Sequence, residues 1–210
     1  MEPSGLLALV TGLGTITSAK NIKDMIDTPS VRTENFKAVE SFRQIVTSYS
    51  STCSIRTDMD AQTQTLSQFS LANCNGGGGG IDFTPLARLC KTLTSLTLRN
   101  NDFKSFDLKL LTYMPMLQQL IIEGNDEMRL NALPVLKELR ILTIQKNQMS
   151  NIKKLNMKGM KHLTQVNVCN CTFSAIPTDL FALKSLESVY MVSNRTSLAI
   201  ESVRDVSPSI

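Results

Sequence analysis

Aliphatic side chains recur along much of the chain in a single frame. Leu93, Leu96 and Leu98 are followed by Asn101 and Phe103; the same order returns as Leu117, Leu120, Ile122 and Asn125, then as Leu139, Leu142, Ile144, Asn147 and Met149. Leu163, Val166, Val168, Cys171 and Phe173 come next, and Leu186, Val189, Met191 and Asn194 close the series. The first positions stand 24, 22, 24 and 23 residues apart. One frame earlier, Leu66, Phe69, Leu71 and Cys74 fit at a spacing of 27, which takes up the glycine run Gly76 to Gly80. Self-similarity at such a period marks an array of stacked units, none of which buries its apolar face alone.

Within each unit the second and third aliphatic positions are two apart. On a strand they share one face, and the residue between them faces the other way. One face is therefore core and the other open. The open positions fall into three columns: Gln68, Ser95, Gln119, Ile141, Gln165 and Ser188; Ser70, Thr97, Ile121, Thr143, Asn167 and Tyr190; Ala72, Arg99, Glu123, Gln145, Cys169 and Val192. The Asn at 101, 125, 147 and 194 stands where the chain turns inward after the strand, and its amide can both donate to and accept from the backbone of neighbouring coils. Cys74 and Cys171 take that place as small residues that tolerate burial and donate more weakly. Three residues before each first aliphatic position lies another apolar side chain, Cys90, Met114, Leu136, Met160 or Leu183, which closes the core from the returning side.

Residues 1–60 do not follow this frame. Phe36, Val39, Phe42, Val46 and Tyr49 recur at steps of three and four behind Thr33, a helix-capping residue, and predict an amphipathic helix from about Glu34 to Ser48. Asp27-Thr28-Pro29 marks a turn before it. The helix is expected to cap the first coil, giving a partly helical flanking segment at 1–60, a solenoid at 61–200 and a tail at 201–210. After Asn194 neither an amphipathic helix nor paired cysteines follow, so the last coil is expected to be completed by a partner or by a longer chain.

The pattern L-x-x-L-x-L-x-x-N/C-x-L carried by these residues resembles the leucine-rich repeat family over roughly residues 65–200. The resemblance implies an α/β solenoid, a right-handed curved coil of about six repeats with a parallel β-sheet on its concave side. Ile176-Pro177-Thr178-Asp179-Leu180-Phe181 looks like the I-P-x-x-L/F that follows the strand in the typical and plant-like extracellular subtypes. Glu127 and Thr196 depart from the pattern, replacing the apolar residue expected two after the Asn. The family implies recognition of a protein or peptide, including the role of a receptor-like ectodomain; a structural subunit of a larger complex is the alternative.

Composition narrows the chemistry further. The 210 residues carry 22 basic and 18 acidic side chains, a net charge of +4, with 42% apolar residues, as in an ordinary globular chain. His162 is the single histidine and there is no Trp. Most histidine-centred acid–base and metal schemes are thereby removed, no cofactor site is expected, and the chain is read as no enzyme. Leu9-Val10-Thr11-Gly12-Leu13-Gly14 lacks the third glycine of a dinucleotide loop, and Gly76 to Gly80 lacks the Lys-Ser or Lys-Thr of a phosphate loop. Asp58 and Asp60 read as exposed loop acids. No apolar run is long enough to span a bilayer; Gly5 to Ala19 ends in small residues like a secretion signal but has no preceding basic residue.

The open face is mostly neutral, with amides, hydroxyls and a few apolar groups, whereas nucleic acid would call for clustered Lys and Arg. A protein or peptide is the expected partner, bound through Arg99, Ile121, Glu123, Thr143, Gln145, Asn167 and Tyr190, since aromatic, aliphatic and bidentate groups carry most interface energy. A second, basic stretch runs from Lys137 to Lys161 and holds Lys137, Arg140, Lys146, Lys153, Lys154, Lys158 and Lys161 against Glu138. Solvation alone accounts for such a stretch; an acidic partner or an anionic lipid surface is the functional alternative. Two sequons, Asn170-Cys171-Thr172 and Asn194-Arg195-Thr196, bear on compartment. Asn170 and Cys169 are expected to point outward and Cys171 inward, which argues against a bond between these cysteines. Five cysteines leave at least one unpaired, and both cytoplasmic and extracellular locations stay open.

Overall fold

The computed structural model describes residues 52–60, 65–75, 91–101, 108–125, 133–147, 157–171, 178–193 and 199–200, together with 37, 39–41 and 43–44 of one helix. The N-terminal glycine motif, the secretion-signal segment, Gly76 to Gly80, Cys90, Glu127, Lys153, Lys154, Asn194, Thr196 and the tail lie outside the described residues.

Among the described residues, eight strands form one sheet in chain order. They are β1 (Ser54–Met59), β2 (Leu66–Ala72), β3 (Ser95–Arg99), β4 (Gln119–Glu123), β5 (Ile141–Gln145), β6 (Gln165–Cys171), β7 (Ser188–Ser193) and β8 (Ala199–Ile200). From β2 to β7 every neighbouring pair is parallel, and each crossover covers one unit of the sequence frame. The register is set by the apolar pattern, because a slip of one residue would carry every buried side chain to the open face. Leu96 accordingly stands beside Leu120, Leu142, Val166 and Val189, and Leu98 beside Ile122, Ile144, Val168 and Met191. All ten are buried.

Among the described residues the return path holds short turns. Residues Leu108–Tyr113, Met157–Gly159 and Thr178–Ala182 are 3-10 helices, and Leu111, Met157 and Leu180 pack into the core from them. Met114, Leu136 and Met160 are buried as the frame predicts, and Leu183 packs against the same cluster. Each of the four also anchors a tight turn into the next strand. The amide of Leu117 donates to the carbonyl of Met114, Leu139 to Leu136, Leu163 to Met160 and Leu186 to Leu183, at 3.1–3.2 Å.

The asparagines form a ladder along the solenoid. Asn101 Oδ1 accepts from the amide of Cys74 at 3.1 Å, Asn125 Oδ1 from that of Asn101 at 3.0 Å, and Asn147 Oδ1 from that of Asn125 at 3.1 Å. Their Nδ2 groups donate to the carbonyls of Leu71, Leu98 and Ile122 in the preceding coil. The residue just before each ladder position has a positive φ: Asn73 (59°), Asn100 (51°), Gly124 (64°), Lys146 (50°) and Asn170 (53°). That left-handed step swings the chain off the strand so that the next side chain enters the core, and it explains why Asn and Gly dominate these positions.

Four features differ from the sequence reading. Cys74 is no free thiol: it is disulfide-bonded to Cys53. β1 belongs to the 1–60 flank yet joins the sheet, antiparallel to β2 along Ser54↔Ala72 and Ile55↔Leu71, so a strand covers the first parallel edge. At the other edge β8 pairs antiparallel with β7 at Met191 and Val192. The expected helix is present at its described positions, with Val39 packed against the core and Lys37, Glu40, Ser41, Arg43 and Gln44 exposed. Asp58 lies exposed on β1 rather than in a loop.

Candidate functional site

The open face of the sheet gathers the predicted side chains. Thr97, Ile121, Thr143, Asn167 and Tyr190 are register partners across β3 to β7, and Arg99, Glu123, Gln145, Cys169 and Val192 form the next column. Neighbours in a column are about 4.8 Å apart, the spacing of hydrogen-bonded strands. Arg99 and Tyr190 are exposed; Ile121, Glu123, Thr143, Gln145 and Asn167 are partly so. All seven candidate residues thus share one continuous surface, because strand alternation leaves them no route into the core.

Several of these groups are already engaged with one another. Arg99 Nε donates to Glu123 Oε2 at 2.8 Å, and Ser95 Oγ donates to Gln119 Oε1 at 2.9 Å. The Arg–Glu pair is exposed on the arginine side, so it contributes little to stability, of order 1 kcal/mol or less. Its effect is chemical: the two charges cancel, and the β3–β4 end of the face is closer to neutral than its composition suggests. Toward β7 the picture changes. The side chains of Ile121, Thr143, Gln145 and Tyr190 make no hydrogen bond or ion pair among the described residues, and Tyr190 is 43% exposed.

Cys169 corrects the sequence reading. It occupies an outward register position but is only 7% exposed, and its thiol donates to Asn167 Oδ1 at 2.8 Å. β6 extends to Cys171 with a register shift against β7 between Cys169 and Cys171. Cys169 and Cys171 are both free thiols. Burial pushes both thiols above their ordinary value, with backbone donors pulling weakly the other way. Asn170 between them is exposed, as its sequon requires.

The basic stretch also looks different in three dimensions. Lys146 sits at the far end of β5 from Lys137, so the stretch is split between two flanks. Lys91 and Lys184, which lie outside that stretch, join Lys137 and Lys161 at one equivalent turn position. The recurrence of Lys two residues before the first leucine was the signal that could have found them.

The fold has a counterpart among solved structures. The LRR ectodomain of the receptor kinase SOBIR1 from Arabidopsis thaliana matches with a TM-score of 0.51 at 20% sequence identity, covering 78% of this chain and 94% of that one. The chain has the fold of a leucine-rich-repeat solenoid. No family model matches the sequence. No curated protein matches it either. The fold matched is that of a non-catalytic ectodomain, and among the described residues no three His, Cys, Asp or Glu side chains gather in a way that would hold a metal ion. Among the same residues no helix is long and apolar enough to cross a membrane.

Proposed function

We propose that this solenoid is a recognition module of the receptor-ectodomain kind, binding a protein or peptide on the open face of its parallel sheet. The observation that carries this reading is the surface of Ile121, Thr143, Gln145 and Tyr190, an aliphatic group, a hydroxyl, an amide and a phenol on one face of the sheet, where Ile121 and Thr143 are register partners, Asn167 stands between Thr143 and Tyr190, and none of the four side chains forms a hydrogen bond or ion pair among the described residues. Polar groups on the same face as an aromatic ring supply both contact area and orienting hydrogen bonds. The Arg99–Glu123 pair bounds this surface and can re-pair with a ligand's own charges.

The structural-subunit alternative would use the edge of β7, of which, among the described residues, β8 pairs with Met191 and Val192 alone. An oxidising compartment fits the Cys53–Cys74 disulfide and the exposed Asn170 sequon, and we infer passage through the secretory route. Treatment of the native protein with an N-glycosidase should lower its mass by one glycan at Asn170.

The binding reading is tested by selecting peptides from a displayed random library on the whole protein. The selected peptides are then measured against Ile121→Asp and Tyr190→Ala. Affinity should drop at least about tenfold in each, as for loss of a central interface anchor. Peptides indifferent to both changes would place the binding surface elsewhere.

A further inference from the structure

We infer a second binding surface, on the flank of the solenoid where each coil turns into its strand, that takes an extended acidic protein segment carrying apolar side chains. Lys91, Lys137, Lys161 and Lys184 each stand four residues before Ser95, Ile141, Gln165 and Ser188, which are in register across the sheet. The four lysines therefore occupy one structural position in four coils, and all are exposed. In the coil of β4 the position holds Pro115, also exposed. For Lys137, Lys161 and Lys184 the turn is closed by the backbone bonds of Leu139, Leu163 and Leu186 to residues three before them. The lysine follows the turn's first residue each time, so the backbone presents all three in the same direction.

Arg140 and Lys158, both exposed, widen this row, while Glu138 and Glu187 are the acids beside it. Six cations against two carboxylates leave a surplus of four, equal to the net charge of the whole chain. None of the six cations forms an ion pair among the described residues. Lys137, Lys161 and Lys184 stand in three successive coils, and like charges so placed repel, so the row carries a cost that an anion running along the solenoid would relieve.

Apolar side chains accompany the row. Tyr113, Val135 and Phe181 are 47%, 40% and 44% exposed and lie two or three residues before the turn position of their coils. More than half of each is covered by protein. Part-covered apolar side chains beside a row of cations suit a chain that carries both carboxylates and apolar groups. From Lys91 to Lys184 is four coil steps, about 19 Å, the length of about six residues of extended peptide.

The test uses the full chain and a fluorescein-labelled twelve-residue peptide of alternating Glu and Ser with two Leu residues, read by fluorescence anisotropy. Binding should weaken as salt rises through the physiological range. The variant K137E/K161E/K184E should bind at least about tenfold more weakly, and K137Q/K161Q/K184Q should fall between it and the parent. The variant K37E/R56E/K146E changes the net charge equally at exposed sites elsewhere and should stay within about twofold of the parent. Phe181→Ser should cost a few-fold with the lysines intact. The inference is overturned if the parent does not bind, or if both Glu triples lose affinity alike. Tighter binding to phosphatidylserine vesicles or to a single-stranded oligonucleotide than to the peptide also overturns it. Ile121→Asp leaves this flank untouched and should not alter the peptide's affinity, which separates this surface from the open face.

Discussion

The ladder asparagines are the residues on which the coil-to-coil backbone depends. Asn125 is fully buried, accepts from the Asn101 amide, and donates to the carbonyls of Leu98 and Glu123. Asn125→Ala leaves a buried amide and a buried carbonyl without partners, each costing about 1–3 kcal/mol. A loss of about 3 kcal/mol by denaturant titration is expected, with the midpoint moved and the slope retained. Cys171 holds the same station with a poorer donor, its thiol reaching the Ile144 carbonyl at 3.6 Å. Cys171→Asn should therefore stabilise, by about 1 kcal/mol. The buried thiols also give stability a sign with pH. Their pKa values are raised in the folded protein by burial, so they keep their protons when the unfolded chain has begun to lose its own. Their contribution is complete below the ordinary thiol value of 9.0 and declines as pH rises above it. Thermal unfolding followed from pH 8 to 10.5 should show a falling midpoint whose slope is flatter in C169A/C171A; equal slopes would contradict it.

At the scale of the element, the two sheet edges repay attention, because an open edge offers unpaired backbone to any passing strand. β1 covers the first parallel edge, and the Cys53–Cys74 disulfide ties its start to the end of β2. The bond closes a separation of 21 residues, and its loss should cost about 3 kcal/mol through the freedom regained by the unfolded chain. Cys53→Ser with Cys74→Ser should speed amide exchange first in β1 and β2 and leave β5 protected; uniform deprotection would mean that the bond stabilises the whole sheet rather than its edge. These edges were the part of the fold that the sequence did not disclose. The strands β2 to β7 were legible because each repeats one apolar code, and burial permits only one register. β1 and β8 occur once each and bond antiparallel, so no repetition marks them. Cys74 was misread because its place in the ladder explained it fully; pairing with Cys53 needed the hairpin-like register of β1. That the candidate residues share one face was legible for the same reason as the core, since strand alternation fixes both faces together. The Arg99–Glu123 pairing was not, because it depends on which residues register sets side by side.

The whole molecule is a one-dimensional stack: strand order follows chain order, and each coil meets the one before and the one after. Stability in such a stack is close to a sum of neighbour terms, so the position of a defect matters as much as its size. Leu142 in β5 and Met191 in β7 are both fully buried. Truncating either to Ala removes comparable apolar volume and should cost about 2–5 kcal/mol of local packing. The reach differs. Leu142 lies between Leu120 and Val166, so its cavity loosens the interfaces on both sides, whereas Met191 has Val168 on one side and the two-residue strand β8 on the other. Hydrogen exchange read by mass spectrometry should show Leu142→Ala deprotecting β4, β5 and β6 while β2 stays protected. Met191→Ala should deprotect only β7, β8 and the adjoining part of β6. Equal acceleration across all strands in both variants would mean that the sheet opens as one cooperative unit and that the neighbour picture fails. The consequence reaches the proposed binding face, which runs from Ile121 on β4 to Tyr190 on β7. Fraying at β7 removes Tyr190 from that face while leaving Ile121 in place, so Met191→Ala should weaken a ligand that spans both residues and spare one held by β3 and β4 alone.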